Sequence, residues 1–335
     1  MKGFHKSVLL KEAVGALIPA RLSQDGLVGT GSPRYRSGEA GGNDCHAPER
    51  HMAWYLDCTL GDGGHSIEII VAGGKVIGMD VDPEALKRAR QRFNSLGIKE
   101  NKYKLVQGNF RDVENLILQT DTAGQIFAGA KSDLAGAIFD LGVSSLQLET
   151  PQRGFSFARE GPLDMRMDPG LGIKAADLLK ALSRKELYEL FTSLGEEKYS
   201  WRLADVVVRA REVAPFTTTS ELAEKVSHFV RPSRTSRDKH PATRVFQALR
   251  MAVNDELGAL QEGLEKVKNL IKRDGRIVVI SFHSLEDRIV KNTFKQWEET
   301  GVGEILTKKP LVPTDLEIAD NPRSRSAKMR VFKII

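Results

Sequence analysis

Cysteine is scarce. The 335 residues hold two, Cys45 and Cys58, too few for a disulfide framework and suited to a reducing compartment. No apolar run reaches the roughly 18 residues that a membrane helix needs, so a helical membrane enzyme is excluded. The opening MKGFHKSVLLKEAV has neither the long apolar core nor the cleavage site of a secretory signal, and the cytoplasm is the expected location. Internal repeats are also lacking. What is present is ordinary for a globular chain: 41% hydrophobic and 28% charged residues, enough for one large α/β domain plus a smaller one. A formal charge of +6 is a mild pointer to an anionic partner, with nucleic acid the commonest.

Glycine is missing at one telling position. Trp54 to Asp57 reads as a strand stopping on an acid, and Gly61, Gly63 and Gly64 follow it. Without Cβ atoms the backbone there can turn sharply and approach a ligand. A dinucleotide fingerprint would continue G-x-G-x-x-G, but its third glycine is replaced by Ser66. The turn therefore lacks the spacing that seats a pyrophosphate on a helix N-terminus. Lys75 to Met79 reads as the next strand, tipped by Asp80, roughly 20 residues past the first glycine, where a ribose diol is hydrogen-bonded. S-adenosylmethionine keeps the ribose and adenine but carries no phosphate, so this pattern favours it over NAD. A nicotinamide-dependent oxidoreductase is the competing enzyme class.

Val8 to Leu17 reads as a short helix, and residues 21–52 as a flexible surface insertion rich in Gly, Ser, Arg and Pro. Cys45, His46 and His51 in that insertion lack a zinc spacing, and no metal is expected. Asp82 caps a helix that starts at Pro83 and runs to about Asn94. Tyr103–Gln107 and Gly136–Asp140 are the third and fourth strands, the latter again ending on an acid. Helical patterns then take over at Lys174–Leu182, Lys185–Leu194, Tyr199–Ala214, Glu221–Val230 and His240–Asp255. Ser183 with Glu186, and Thr218 with Glu221, are capping boxes. The sheet resumes at Arg276–Ser281, a helix begins at Ser284, and Glu304–Lys308 with Met329–Ile334 close it. The expected fold is α/β, a Rossmann-like sheet with an inserted helical domain. Residues 1–145 and 256–335 form the two parts of the sheet domain and 146–255 the insertion.

Five groups of residues have chemistry to offer. Asp140, followed by Leu-Gly-Val-Ser-Ser, sits where a substrate would meet a ligand bound at the first two strands. Asp140, the Ser144 hydroxyl or the backbone carbonyls of this turn can accept the N–H of a base amine; equally, Asp140 and the serines can simply satisfy the turn. Arg153, Arg159 and Arg166 lie among Phe155 and Phe157, a mixture that suits single-stranded RNA but also suits a core with Asp164 and Asp168 as ion-pair partners. Arg231, Arg234, Arg237, Lys239, Arg244 and Arg250 form one basic run; Arg323, Arg325, Lys328 and Arg330 form another. Both read as phosphate contacts or as solvated faces. His283, after the fifth strand, is a base, a hydrogen-bond donor or a packed side chain.

Taken in order, these segments resemble the bacterial 16S ribosomal RNA cytosine-N4 methyltransferases of the MraW type. The matching stretches are 5–12 (HKSVLLKE), the glycine turn 61–65, Asp80, 140–147 (DLGVSSLQ) and 153–157 (RGFSF). They continue through 161–168 (GPLDMRMD), 240–250 (HPATRVFQALR), 281–291 (SFHSLEDRIVK) and 321–326 (NPRSRS). The resemblance implies S-adenosylmethionine contacts at Gly63, Gly64, His65, Asp80, Phe110, Asp140 and Gln147. It implies N4 methylation of a cytidine in the decoding region of small-subunit RNA, with the helical insertion helping to bind that RNA. Asp140, Ser144 and His283 are the catalytic candidates; Arg153, Phe155, Arg166, Arg234, Arg237, Arg244, Arg323 and Arg325 are the RNA-binding ones. Because its first motif starts at His5, no organellar transit peptide is expected. The long 21–52 insertion and Cys58, where a glycine is common, depart from the pattern. A non-catalytic ribosome-assembly factor is a further alternative, and the oligomeric state, a homodimer included, is left open.

Overall fold

Strands that carry helices on both faces are apolar through their middles, as the first, second and fourth strands are, whereas the third, at the sheet edge, is only partly buried. In the computed structural model, which describes residues 6–18, 53–120, 123–126, 134–229 and 240–335, they are β1 (Trp54–Asp57), β2 (Lys75–Asp80), β3 (Tyr103–Gln107) and β4 (Leu134–Asp140). With β5 (Ile271–Ser281), β6 (Gly303–Ile305) and β7 (Lys328–Ile334) they make one seven-stranded sheet, ordered β3-β2-β1-β4-β5-β7-β6. The first five run parallel and β7 pairs antiparallel with both β5 and β6. Strand order reverses between β1 and β4, and that switch point opens a crevice at the carboxyl ends.

Two-residue alternation sorts the strands' side chains onto two faces. Leu56, Ile77 and Phe139 join Leu264, Val267, Phe294, Trp297 and Phe332 on one. Tyr55, Val76 and Ile138 join Leu9, Leu17, Ile69, Val278 and Met329 on the other. A third core lies off the sheet, where Leu163, Leu187, Phe191, Leu203, Val207, Leu222, Phe246 and Leu249 pack among helices 175–181, 184–193, 200–213, 219–229 and 243–254. Ser183 and Glu186 do form a reciprocal cap, as do Thr218 and Glu221.

Boundaries shift in places. The first helix begins at Leu10, after Leu9 turns through φ 49°, and the strand expected at 304–308 is confined to Gly303–Ile305. Helix Glu256–Leu270, to which the sequence reading assigns no element, covers the first sheet face with Leu260, Leu264 and Val267. The expected insertion at 21–52, with Cys45, His46 and His51, lies outside the described residues, as do Arg234 and Arg237. Among the described residues no helix is long and apolar enough to cross a membrane.

Candidate active site

The floor of the crevice is made by the tips of β1, β2 and β4, each ending on an aspartate. Asp57 is buried and accepts from the Thr59 amide (3.2 Å) and the Ser66 hydroxyl (2.6 Å). Asp80 Oδ2 accepts from the Gly61 amide at 2.8 Å and its Oδ1 from the Asp82 amide at 2.9 Å. Each carboxylate oxygen has room for a second donor, so Asp80 can still take a diol. Burial pushes both Asp57 and Asp80 up to about 6 against the pull of these hydrogen bonds.

Asp140 is the outlier. Its amide donates to the Thr59 hydroxyl (2.6 Å), but its Oδ1 is buried with no partner. Oδ2 lies 3.6 Å from His65 Nδ1. The other ring nitrogen, Nε2, is 3.1 Å from the Val8 carbonyl, which can only accept, so Nε2 carries the proton. Burial, with the charges of Asp57 and Glu286 added, raises the Asp140 carboxyl well above the ordinary range. An orphaned oxygen of this kind calls for a donor from outside the chain.

The glycine turn brings backbone to this floor. Gly63 has φ 73°, and a Cβ there would lie 2.6 Å from the Phe93 ring. A Cβ on Gly64 would collide with Ser7, which packs directly over the turn. That N-terminal segment is held from the far end of the chain. Glu317 Oε1 accepts the Leu9 amide at 2.7 Å, Asn321 Nδ2 donates to the Lys6 carbonyl at 3.1 Å, and Lys6 pairs with Asp320.

A cavity of about 410 Å³ rises from the floor. Its lining includes Ser7, Gly64, His65, Asp80, Phe110 and Gln147, taken together as a first wall, and Met167, Asp168, Leu171, Asn254 and Asp255, from residues 146–255, taken as a second, with Phe282 and Glu286 just after β5. Asn254 staples that second wall, accepting the Met167 amide (2.7 Å) and donating to the Met165 carbonyl (2.8 Å). The volume fits a nucleoside-sized ligand with a base beside it.

Of the residues singled out from sequence, Gly64, His65, Asp80, Phe110, Asp140, Ser144 and Gln147 line the cavity. Gly63 does not; it serves the turn beneath. Ser144 and Gln147 cap each other, Ser144 Oγ accepting the Gln147 amide at 3.2 Å and Gln147 Oε1 the Ser144 amide at 3.0 Å. His283 also lies off the cavity. Its Nδ1 accepts the Glu286 amide and its Nε2 sits 3.1 Å from Glu286 Oε1, so it caps helix Ser284–Glu299. Glu286 is what reaches the wall. Burial would raise its carboxyl, but His283 and Arg250 hold it low.

The candidate RNA contacts fare differently. Phe155 is buried in the helical core, where it cannot stack on a base. Arg153 and Arg166 are committed inside the protein, to Asp82 and to Asp164. Arg244 donates to the Glu196 carbonyl, and Arg323 holds Ser145 and Glu149. Arg323 and Arg325 are exposed on the 3-10 helix Pro322–Ser326. Sequence reasoning missed Asn254, Glu286 and the second role of Asp82, because their partners are remote in the chain.

Acids on three neighbouring strand tips, a glycine turn and a doubly wound sheet define a nucleoside-binding α/β enzyme. The MraW methylase family model matches residues 2–335, and the chain belongs to that family. It is similar to the protein named ribosomal RNA small subunit methyltransferase H from Carboxydothermus hydrogenoformans, at 44% identity over 82% of this chain and 90% of the relative. The like-named proteins of Sulfurihydrogenibium azorense and a Synechococcus species are 42% and 47% identical, over 84% and 83% of this chain and 92% and 84% of theirs.

Proposed function

We propose that this methylase acts in the cytoplasm on small-subunit ribosomal RNA, methylating the exocyclic N4 of a cytidine in the decoding region. The observation that carries the reading is the orphaned Asp140 Oδ1 at the foot of a two-walled cavity. S-adenosylmethionine, when bound, supplies a methyl group already activated on a sulfonium. The chain's residues then have to bind, orient and take away a proton. Asp80 accepts the ribose hydroxyls, the Gly61–His65 turn brings backbone close, and Phe110 offers an aromatic edge to the adenine.

The cytosine amine is a poor nucleophile because its lone pair is conjugated with the ring. Asp140 Oδ1 accepts one of its N–H groups and so favours a pyramidal nitrogen. As the new N–C bond forms and the old S–C bond breaks, that proton passes to Asp140 Oδ1. The raised affinity of this buried carboxyl for a proton suits it to the role. The helical layer, residues 146–255, is read as an inserted unit that presents the RNA, with its Arg234, Arg237 and Arg244, and Arg323 and Arg325 of the later 3-10 helix Pro322–Ser326, as phosphate contacts.

The test is methyl transfer from labelled donor into small subunits taken from cells lacking the activity, followed by mass spectrometry of the RNA. Label on cytidine N4 is the expected result. Donor binding without any label in RNA would leave only an assembly role, and label on another base or atom would overturn the N4 assignment.

A further inference from the structure

Asp82 is 1% exposed and stands at the centre of a junction between the two walls. Its amide donates to Asp80 Oδ1 (2.9 Å) and its Oδ1 caps the following helix through the Glu84 amide (3.2 Å). Its Oδ2 accepts from Gln147 Nε2 at 3.1 Å and from Arg153 Nη1 at 2.7 Å. Arg153 then reaches across with its other terminal nitrogen, Nη2, to the carbonyls of Arg166 (3.0 Å) and Met167 (2.8 Å). Its own carbonyl accepts the Met165 amide at 3.0 Å. Met165 holds φ 64°, a conformation a non-glycine residue keeps only when its surroundings impose it.

The two walls are therefore linked through this guanidinium, as they are elsewhere through the Arg111–Asp255 ion pair. Asp80 and Gln147 belong to the floor and first wall, Met167 and Asp168 to the second. We infer that Arg153 and Asp82 are positioning residues for methyl transfer: their fork sets the distance between the donor wall and the acceptor wall. Resting on the methyltransferase reading above, this assigns Arg153 inside the protein rather than to RNA. A guanidinium is needed because it spreads donors over a rigid plane and serves one carboxylate and two carbonyls at once; an ammonium is a compact point charge. A misplacement of about 1 Å between reactants is enough to cost on the order of a hundredfold in rate.

The experiment compares the wild-type chain with Arg153→Lys and Asp82→Asn. Donor affinity is read by calorimetry, and kcat and KM for undermethylated small subunits by label incorporation. Arg153→Lys is expected to keep donor affinity within about threefold while kcat falls at least about tenfold. Asp82→Asn, which touches both walls, should lower donor affinity and kcat together. An Arg153→Lys enzyme with wild-type kcat overturns the inference, as does one that loses affinity and kcat in proportion to a lowered unfolding midpoint. Wild-type protein that binds donor but labels no RNA fails the methyltransferase reading instead, so the two failures are distinct.

Discussion

The strand tips and the helical layer use the same residue type in opposite ways. At the tips, Asp57 and Asp80 are held by amides and the Ser66 hydroxyl, Asp140 Oδ1 has no partner, and burial drives all three carboxyls upward. In the helical layer Asp164 is also penalised by burial, yet Arg166 forks onto it and Lys174 lies near, and its carboxyl ends below the ordinary range. A cation partner decides which way a buried acid goes. Acids without one are kept hungry for a donor, which is what a binding floor needs. Acids with one are fasteners.

The contrast breaks most visibly in the cores. Phe191→Ala empties the helical core and should cost about 3–5 kcal/mol in denaturant unfolding, while calorimetry finds donor binding intact. Loss of donor binding alongside would mean that the two layers do not hold independently. On the floor, Asp80→Ala removes a charged acceptor, and donor affinity should fall about ten- to a hundredfold, corresponding to about 1.5–3 kcal/mol. An unaltered dissociation constant would take Asp80 out of the site.

Acidity sharpens the same point. Asp57 and Asp80 sit at about 6 in the folded chain against 3.8 ordinarily, so between those values the folded state binds more protons than the unfolded. Their contribution to stability therefore declines as pH rises from about 4 to about 6, by at most about 1.4 kcal/mol per pH unit per group, and is level above that. Donor binding runs the other way and should weaken as pH falls through about 6, where Asp80 stops being a free acceptor. A donor affinity flat from about pH 5 to about pH 7, roughly one unit either side of that value, contradicts the assignment. The smallest effect belongs to the helical layer: Ser183→Ala removes one cap at about 1 kcal/mol and should leave methyl transfer unchanged.

The strand tips were legible because strand, turn and acid are neighbours in the chain. β1 and β3 have the expected limits, and β2 and β4 the expected final acid. Partners distant in sequence were not legible. Arg153 beside Phe155 looks like a stacking pair for RNA, but its anchor, Asp82, comes from another layer. Helix Glu256–Leu270 escaped notice because Gly258 and Gly263 interrupt its apolar pattern. Gly263 is there for a reason that only packing shows, since a Cβ would lie 2.5 Å from the Phe110 ring. Phe110 owes its seat in the cavity to that gap.

Glu317 and Asn321 seat Ser7 over the glycine turn, so residues made late in synthesis finish a wall begun by the earliest. A product interrupted before them would own every strand-tip acid and still leave its pocket unroofed. A partial chain of that kind would lack the contacts that seat Ser7 at the mouth of the cavity.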